Sequence, residues 1–269
     1  MISLSHLKKF KADGRKFSCL TCYDASMAKA MQIAEVDSIL IGDSLGMSIQ
    51  GRDSTLPVSV ADMAYHTAAV RRGNSHAFIM TDLPFMSYAT LEDALQSAKT
   101  VMQAGAQMVK MEGGAWLAPT IESLNRNGIP VCVHLGLTPQ SVHVFGGYKL
   151  QARDRAAADQ LIADCKAVVE AGAALLLLEC VPAQLGKEVT ELFPHIPVIG
   201  IGAGADTDGQ VLVVQDMLGL TFGHVAKFVR NFMKEQSGEH AILDAFKAYH
   251  AAVLDGSFPA PAQTFQVEL

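Results

Sequence analysis

The chain has 269 residues, 50% of them hydrophobic and only 18% charged, which suits a packed globular fold and excludes a disordered polymer. Its net charge of −6, with no cluster of Lys and Arg, argues against a nucleic-acid partner. No apolar run approaches the roughly 18 residues of a membrane helix, and Met1–Phe17 lacks the apolar core of a signal peptide, so a cytoplasmic protein without membrane contact is expected.

Taken in chain order, the apolar β-prone runs are Phe17–Thr21, Ser38–Gly42, Ala77–Thr81, Gln107–Met111, Pro130–Val133, Ala174–Leu178 and Pro197–Ile201, with a less regular eighth near Met217–Thr221. Helical patterns alternate with them at Ala25–Ala34, Val60–Arg72, Leu91–Ala104, Trp116–Asn127, Arg155–Ala171 and Ala183–Phe193, and His240–Leu254 reads as a closing helix. Thr90, with Asp93 three residues on, marks a helix start, and Gly105, Gly128 and Gly172 mark helix ends. This alternation predicts βαβ units and a parallel sheet, and seven or eight units without a break in composition predict one α/β domain over 1–269, a closed (β/α)8 TIM barrel with an irregular tail from about 256. Two connections, Asp43–Val58 and Leu135–Arg153, are long enough to serve as binding loops or a flap, the second presenting Phe145 and Tyr148.

The five cysteines are an odd number in a chain without a secretion signal, which argues against a disulfide framework. Cys19 and Cys22 have C-x-x-C spacing, but on a strand residues three apart face opposite ways and cannot chelate one ion, so both are expected to be small buried hydrophobes.

Five of the apolar runs end in polar residues: Asp43, Asp82, Glu112, His134 and Glu179. A carboxylate at the mouth of a buried strand is costly to desolvate unless paired, protonated or metal-bound. In a barrel all of these strand ends converge on one face, where the chemistry of such folds is found. Asp43, Asp82 and Glu112 end successive strands and together predict a site for a hard divalent cation such as Mg2+. Asp24 and Asp62 read as ordinary helix-start acids.

Lys110, two positions before Glu112, points the same way and should be held charged by the acids, as a clamp for substrate or metal site rather than a Schiff-base lysine. His134 borders the acids and is expected to hydrogen-bond substrate. Glu179 follows four leucines, which should raise its pKa toward that of a general base, and its strand lies across the mouth from the metal candidates. The glycines of Gly200–Gly204 miss the dinucleotide fingerprint and suit a close backbone approach or a tight turn.

Read together, Gly42-Asp43-Ser44-Leu45-Gly46-Met47, Gly51–Pro57, Tyr65–Gly73, Asp82–Met86, Lys110–Gly114, His134–Gln140, Phe145–Tyr148, Leu178–Pro182 and Gly200–Gly204 resemble the ketopantoate hydroxymethyltransferase family, over about Phe17 to Phe232. The resemblance implies a (β/α)8 barrel that transfers a one-carbon unit from 5,10-methylenetetrahydrofolate to 3-methyl-2-oxobutanoate, giving 2-dehydropantoate for pantothenate synthesis. It implies one Mg2+ per subunit, held by Asp43 and Asp82 with Glu112 beside them. It further implies keto-acid contacts from Ser44, Lys110 and His134, Glu179 as general base, and a homodecamer. Departures from the family pattern are Ala115, Ala226 and the tail. The competing class is the related barrel of Mg2+-dependent carbon–carbon lyases and mutases of 2-oxo acids, which carry a catalytic loop cysteine; neither long loop here has one. A non-catalytic keto-acid sensor would have no use for Glu179.

Overall fold

Strands that are apolar on both faces cannot leave either face in water, and here they close on themselves. A computed structural model, describing residues 1–267 and 269, shows eight parallel strands in sequence order around one barrel, with the first paired to the last. They are β1 Phe17–Thr21, β2 Ser38–Ile41, β3 Phe78–Asp82, β4 Met108–Glu112, β5 Val131–Gly136, β6 Leu175–Glu179, β7 Val198–Ile201 and β8 Gly209–Leu212. Side chains of β1 to β5 are buried almost throughout, as expected of strands covered by helices outside and by one another inside.

The outer layer comprises α1 Leu4–Ala12, α2 Ala25–Ile33, α3 Leu45–Ser48, α4 Val60–Gly73, α5 Leu91–Gln103, α6 Ala118–Arg126, α7 Val142–Phe145, α8 Arg155–Glu170, α9 Ala183–Leu192, α10 Val214–Met217 and α11 Ala241–Leu254. Their starts are set locally. Asp24 accepts the Met27 N–H at 2.9 Å, Ser59 and Asp62 form a reciprocal capping box, and Thr90 Oγ1 accepts the Asp93 N–H at 3.2 Å. Asp24 and Asp62 are therefore helix-start acids, as expected. At the closure, Tyr249 of α11 donates to the carbonyl oxygens of Cys19 at 2.9 Å and Gln210 at 2.8 Å, tying the last helix to β1 and β8.

The main departures from the sequence reading are the eighth strand and the first helix; the short helices α3, α7 and α10 also lie outside it. The eighth strand is Gly209–Leu212, and Met217–Thr221 instead ends α10 and enters a turn. The strand is disguised by Gln210, whose buried side-chain amide donates to Gly204 O at 2.9 Å and Thr207 Oγ1 at 2.8 Å. Gly209 is required there, since a Cβ would stand 2.6 Å from the Phe17 ring. The other is α1, unforeseen because only Leu7 of its nine residues is buried. Cys19 and Cys22 are both buried, and burial pushes their thiols up to about 12.

Candidate active site

Register delivers the strand ends to one mouth. Asp82 pairs with Lys110 across β3 and β4, Glu112 with His134 across β4 and β5, and Gly136 with Glu179 across β5 and β6. Asp43 and Ser44 follow β2 directly. All seven sequence-predicted residues (Asp43, Ser44, Asp82, Lys110, Glu112, His134 and Glu179) line one cavity of about 490 Å3.

Asp43, Asp82, Lys110, Glu112 and His134 are buried together. Lys110 Nζ lies 2.6 Å from Asp82 Oδ1 and 3.9 Å from Glu112 Oε1. Burial alone would neutralise the amine, but Asp82, Glu112 and Asp43 outweigh it and raise its pKa above the ordinary lysine value. Asp82 Oδ2 accepts the Asp43 N–H at 3.0 Å. Burial, and after it the charges of Asp82 and Glu112, push the Asp43 carboxyl well above the usual carboxylate range. Burial also dominates at Asp82 and raises it, against the pull of Lys110.

Glu112 differs. Its Oε1 lies 3.2 Å from His134 Nδ1, and its Oε2 accepts the Gln140 N–H at 2.9 Å. Burial works to raise it, yet His134, Lys110 and that N–H together hold it below its ordinary value. Burial and Lys110 disfavour the His134 imidazolium, but Glu112 and Glu179 outweigh them and raise it to about 9. Its Nε2 lies 3.3 Å from Glu179 Oε2, too oblique for a hydrogen bond, and that buried nitrogen has no other partner among the described residues. Glu179 therefore stands beside an imidazolium as well as the leucines, and its carboxylate is more open to the cavity than those of the buried acids.

These observations bear on a divalent cation. Two adjacent acids, Asp43 and Asp82, are raised by burial, which is the situation a bound cation relieves. Among the described residues no group of three or more His, Cys, Asp or Glu side chains is placed to hold a metal ion by itself, so Asp43, Asp82 and Glu112 do not form a three-carboxylate site. Two carboxylates with the remaining positions left to water and substrate is the way Mg2+ is commonly held. The residues fit such an ion, with both Glu112 oxygens already engaged beside it.

Gln140 closes the motif His134–Gln140, but nothing local in the sequence shows its role. Its amide donates to Asp43 Oδ2 at 2.8 Å and to Leu83 O at 3.0 Å, and its Oε1 accepts from Tyr88 at 2.5 Å. It reaches 97 residues along the chain to Asp43, so only the folded loop reveals the contact. Ser44 Oγ lies 2.9 Å from the Tyr23 hydroxyl. The loop from Leu135 supplies Pro139, Tyr148 and Lys149 to the cavity wall, and the loop from Asp43 supplies Met47 and Thr55.

Gly136 fixes the seat of Glu179. Its φ of +88° suits glycine, and a Cβ there would collide with the Glu179 carbonyl oxygen, which accepts the Leu137 N–H at 2.8 Å. Gly136→Ala should cost about 1–3 kcal/mol of stability. It should also lower turnover by more than the loss of folded protein explains, as thermal melts run beside an activity assay would show.

Residues 1–261 match the sequence profile of ketopantoate hydroxymethyltransferase. The chain belongs to that family. Among its relatives are 3-methyl-2-oxobutanoate hydroxymethyltransferases of Acinetobacter baumannii (strain SDF), 84% identical, and of Acinetobacter baylyi (strain ATCC 33305 / BD413 / ADP1), 81% identical, each match covering 100% of both chains. Among solved structures, 2,3-dimethylmalate lyase, a member of the PEP mutase/isocitrate lyase superfamily, superposes with a TM-score of 0.59 at 15% identity, over 79% of this chain and 81% of that one. That likeness shows the shared barrel and nothing of the reaction. No helix is long and apolar enough to cross a membrane among the described residues.

Proposed function

We propose that this chain transfers a hydroxymethyl group from 5,10-methylenetetrahydrofolate to 3-methyl-2-oxobutanoate, giving 2-dehydropantoate and tetrahydrofolate for pantothenate synthesis, in the cytoplasm and as a homo-oligomer, a decamer in the family pattern. The observation that carries this reading is one cavity in which an acid–lysine cluster faces a carboxylate beside an imidazolium.

Asp43 and Asp82 would hold one Mg2+ per subunit, with Glu112 beside them. When bound, that ion supplies stabilisation of the negative charge that develops on the keto acid's oxygens as C3 loses its proton. The remaining work falls to side chains. Ser44 and Lys110 orient the keto acid, Lys110 as a fixed positive charge. His134, whose Nε2 lacks a well-directed partner, donates to the substrate. Glu179 removes the C3 proton, and the resulting carbanionic carbon forms the new bond to the one-carbon unit. Both bonds from that carbon to the folate nitrogens break, one as the carbon–carbon bond forms and the other as a water oxygen adds to become the hydroxyl. The C3 proton and one water proton end on the two nitrogens of tetrahydrofolate. Gln140 and Tyr88 hold the acids in register from behind.

The direct test mixes the protein with Mg2+, 3-methyl-2-oxobutanoate and methylenetetrahydrofolate and looks for 2-dehydropantoate by mass spectrometry; no product under saturating substrates rejects the reading. Against the lyase class, the two long loops lining the cavity carry no cysteine. Cys180, at the end of β6, is buried, and its thiol is pushed up by burial and then by Glu179.

The charge on Lys110 gives a second expectation. An amine held protonated by buried carboxylates does not attack a carbonyl. Borohydride added to enzyme and keto acid should leave the mass of the protein unchanged, and a trapped adduct on Lys110 would move the chemistry to a Schiff base.

A further inference from the structure

One carboxylate in the cavity takes no part in this scheme. β4 and β8 lie opposite each other in the eight-strand ring, so α10, which follows β8, faces the Lys110 cluster across the mouth. Asp216 of α10 lines the cavity there, half-buried. Its Oδ1 accepts from the Thr221 hydroxyl, while Oδ2 has no hydrogen bond and the residue no cationic partner among the described residues. Burial raises this carboxyl, though Thr221 opposes the shift, so its charged form still lacks donors. Two aromatic rings, Phe228 and Phe265, line the same cavity. The Phe228 ring lies where a side chain on Gly202 would sit, a Cβ there standing 2.8 Å from Phe228 Cδ1, and Phe265 adjoins it. At the exposed rim, Lys227 Nζ stands 5.2 Å from the Phe265 ring centroid.

We infer that Asp216 anchors the pterin ring of the folate co-substrate, accepting from the ring N3–H and the 2-amino group. This rests on the function proposed above and names a residue for its second substrate. The 2-amino-4-oxopyrimidine edge offers two parallel donors, and a carboxylate matches them with two acceptors in fork geometry. Of the five carboxylates that line the cavity among the described residues, Asp43, Asp82, Glu112 and Glu179 serve the keto acid's side, which leaves Asp216. Phe228 and Phe265 provide apolar surface for a flat ring. Lys227 at the rim carries the charge that a folate glutamate tail calls for.

Two readouts of Asp216→Asn test the assignment. Tetrahydrofolate binding, titrated by calorimetry, should weaken at least about tenfold, because the amide sets a donor against a donor edge. Exchange of the keto acid's C3 proton in D2O, which needs no folate, should stay at the wild-type rate. Equal tetrahydrofolate affinity in variant and wild type, or no binding by the wild type, overturns the assignment. Loss of exchange along with folate binding makes Asp216 a structural prop of the mouth and overturns it equally. Failure of the wild type to exchange at all would count against the proposed function, and the titration would still decide Asp216.

Discussion

Replacing Asp43 or Asp82 by alanine is expected to abolish keto-acid binding, yet to act on the fold in opposite directions. Without a cation, Asp43 is buried among like charges, and among the described residues its only side-chain donor is the Gln140 amide. Its removal relieves repulsion, so Asp43→Ala should melt at or above the wild-type temperature when no metal is added. Asp82 is the partner 2.6 Å from the Lys110 ammonium, and its loss leaves a buried charge with Glu112 at 3.9 Å as its nearest ion pair. Asp82→Ala should therefore cost about 3–5 kcal/mol, the scale of breaking a buried pair from one side. Both variants should fall by about a thousandfold in transfer, since a catalytic cation contributes several kcal/mol to charge stabilisation. Calorimetric titration of keto acid with and without Mg2+ checks binding, and circular dichroism checks the fold. Full wild-type activity after exhaustive chelation would remove the cation from the mechanism.

Much of this site was legible because barrel strands write their ends into the sequence. An apolar run closed by Asp43, Asp82, Glu112, His134 or Glu179 is a local pattern, and eight parallel strands put such ends on one face. Lys110 followed from the same logic, since residues two apart on a strand share a side. What escaped was written non-locally. Gln140 belongs to a loop whose path depends on Asp43, Leu83 and Tyr88, none of them close in sequence. Gln210 satisfies its amide on Gly204 and Thr207, so β8 does not read as an apolar run, and Asp216, four residues beyond that strand, carries no strand-end signal of its own. The four leucines before Glu179 were visible; the imidazolium beside it was not, because His134 belongs to the neighbouring strand.

That pairing sharpens the expectation for Glu179 itself. Removing the C3 proton requires a carboxylate in reach of substrate, and Glu179 is the acid of the cluster most open to the cavity, while Asp43, Asp82 and Glu112 are buried. His134 keeps it oriented from 3.3 Å without a well-formed hydrogen bond, leaving its lone pairs available. Proton abstraction precedes carbon–carbon bond formation, so it should proceed with keto acid and Mg2+ alone. In D2O the wild type should exchange the C3 proton of 3-methyl-2-oxobutanoate, followed by NMR as loss of its signal. Glu179→Gln preserves shape and removes the base, and should slow exchange by a factor on the order of 100 or more, the scale of a general base. Its keto-acid affinity should hold near the wild-type value, because Asp43, Asp82 and Lys110 are untouched. Exchange at the wild-type rate in Glu179→Gln would assign the base to another residue, whereas loss of both exchange and binding would mean that Glu179 positions the substrate instead of deprotonating it.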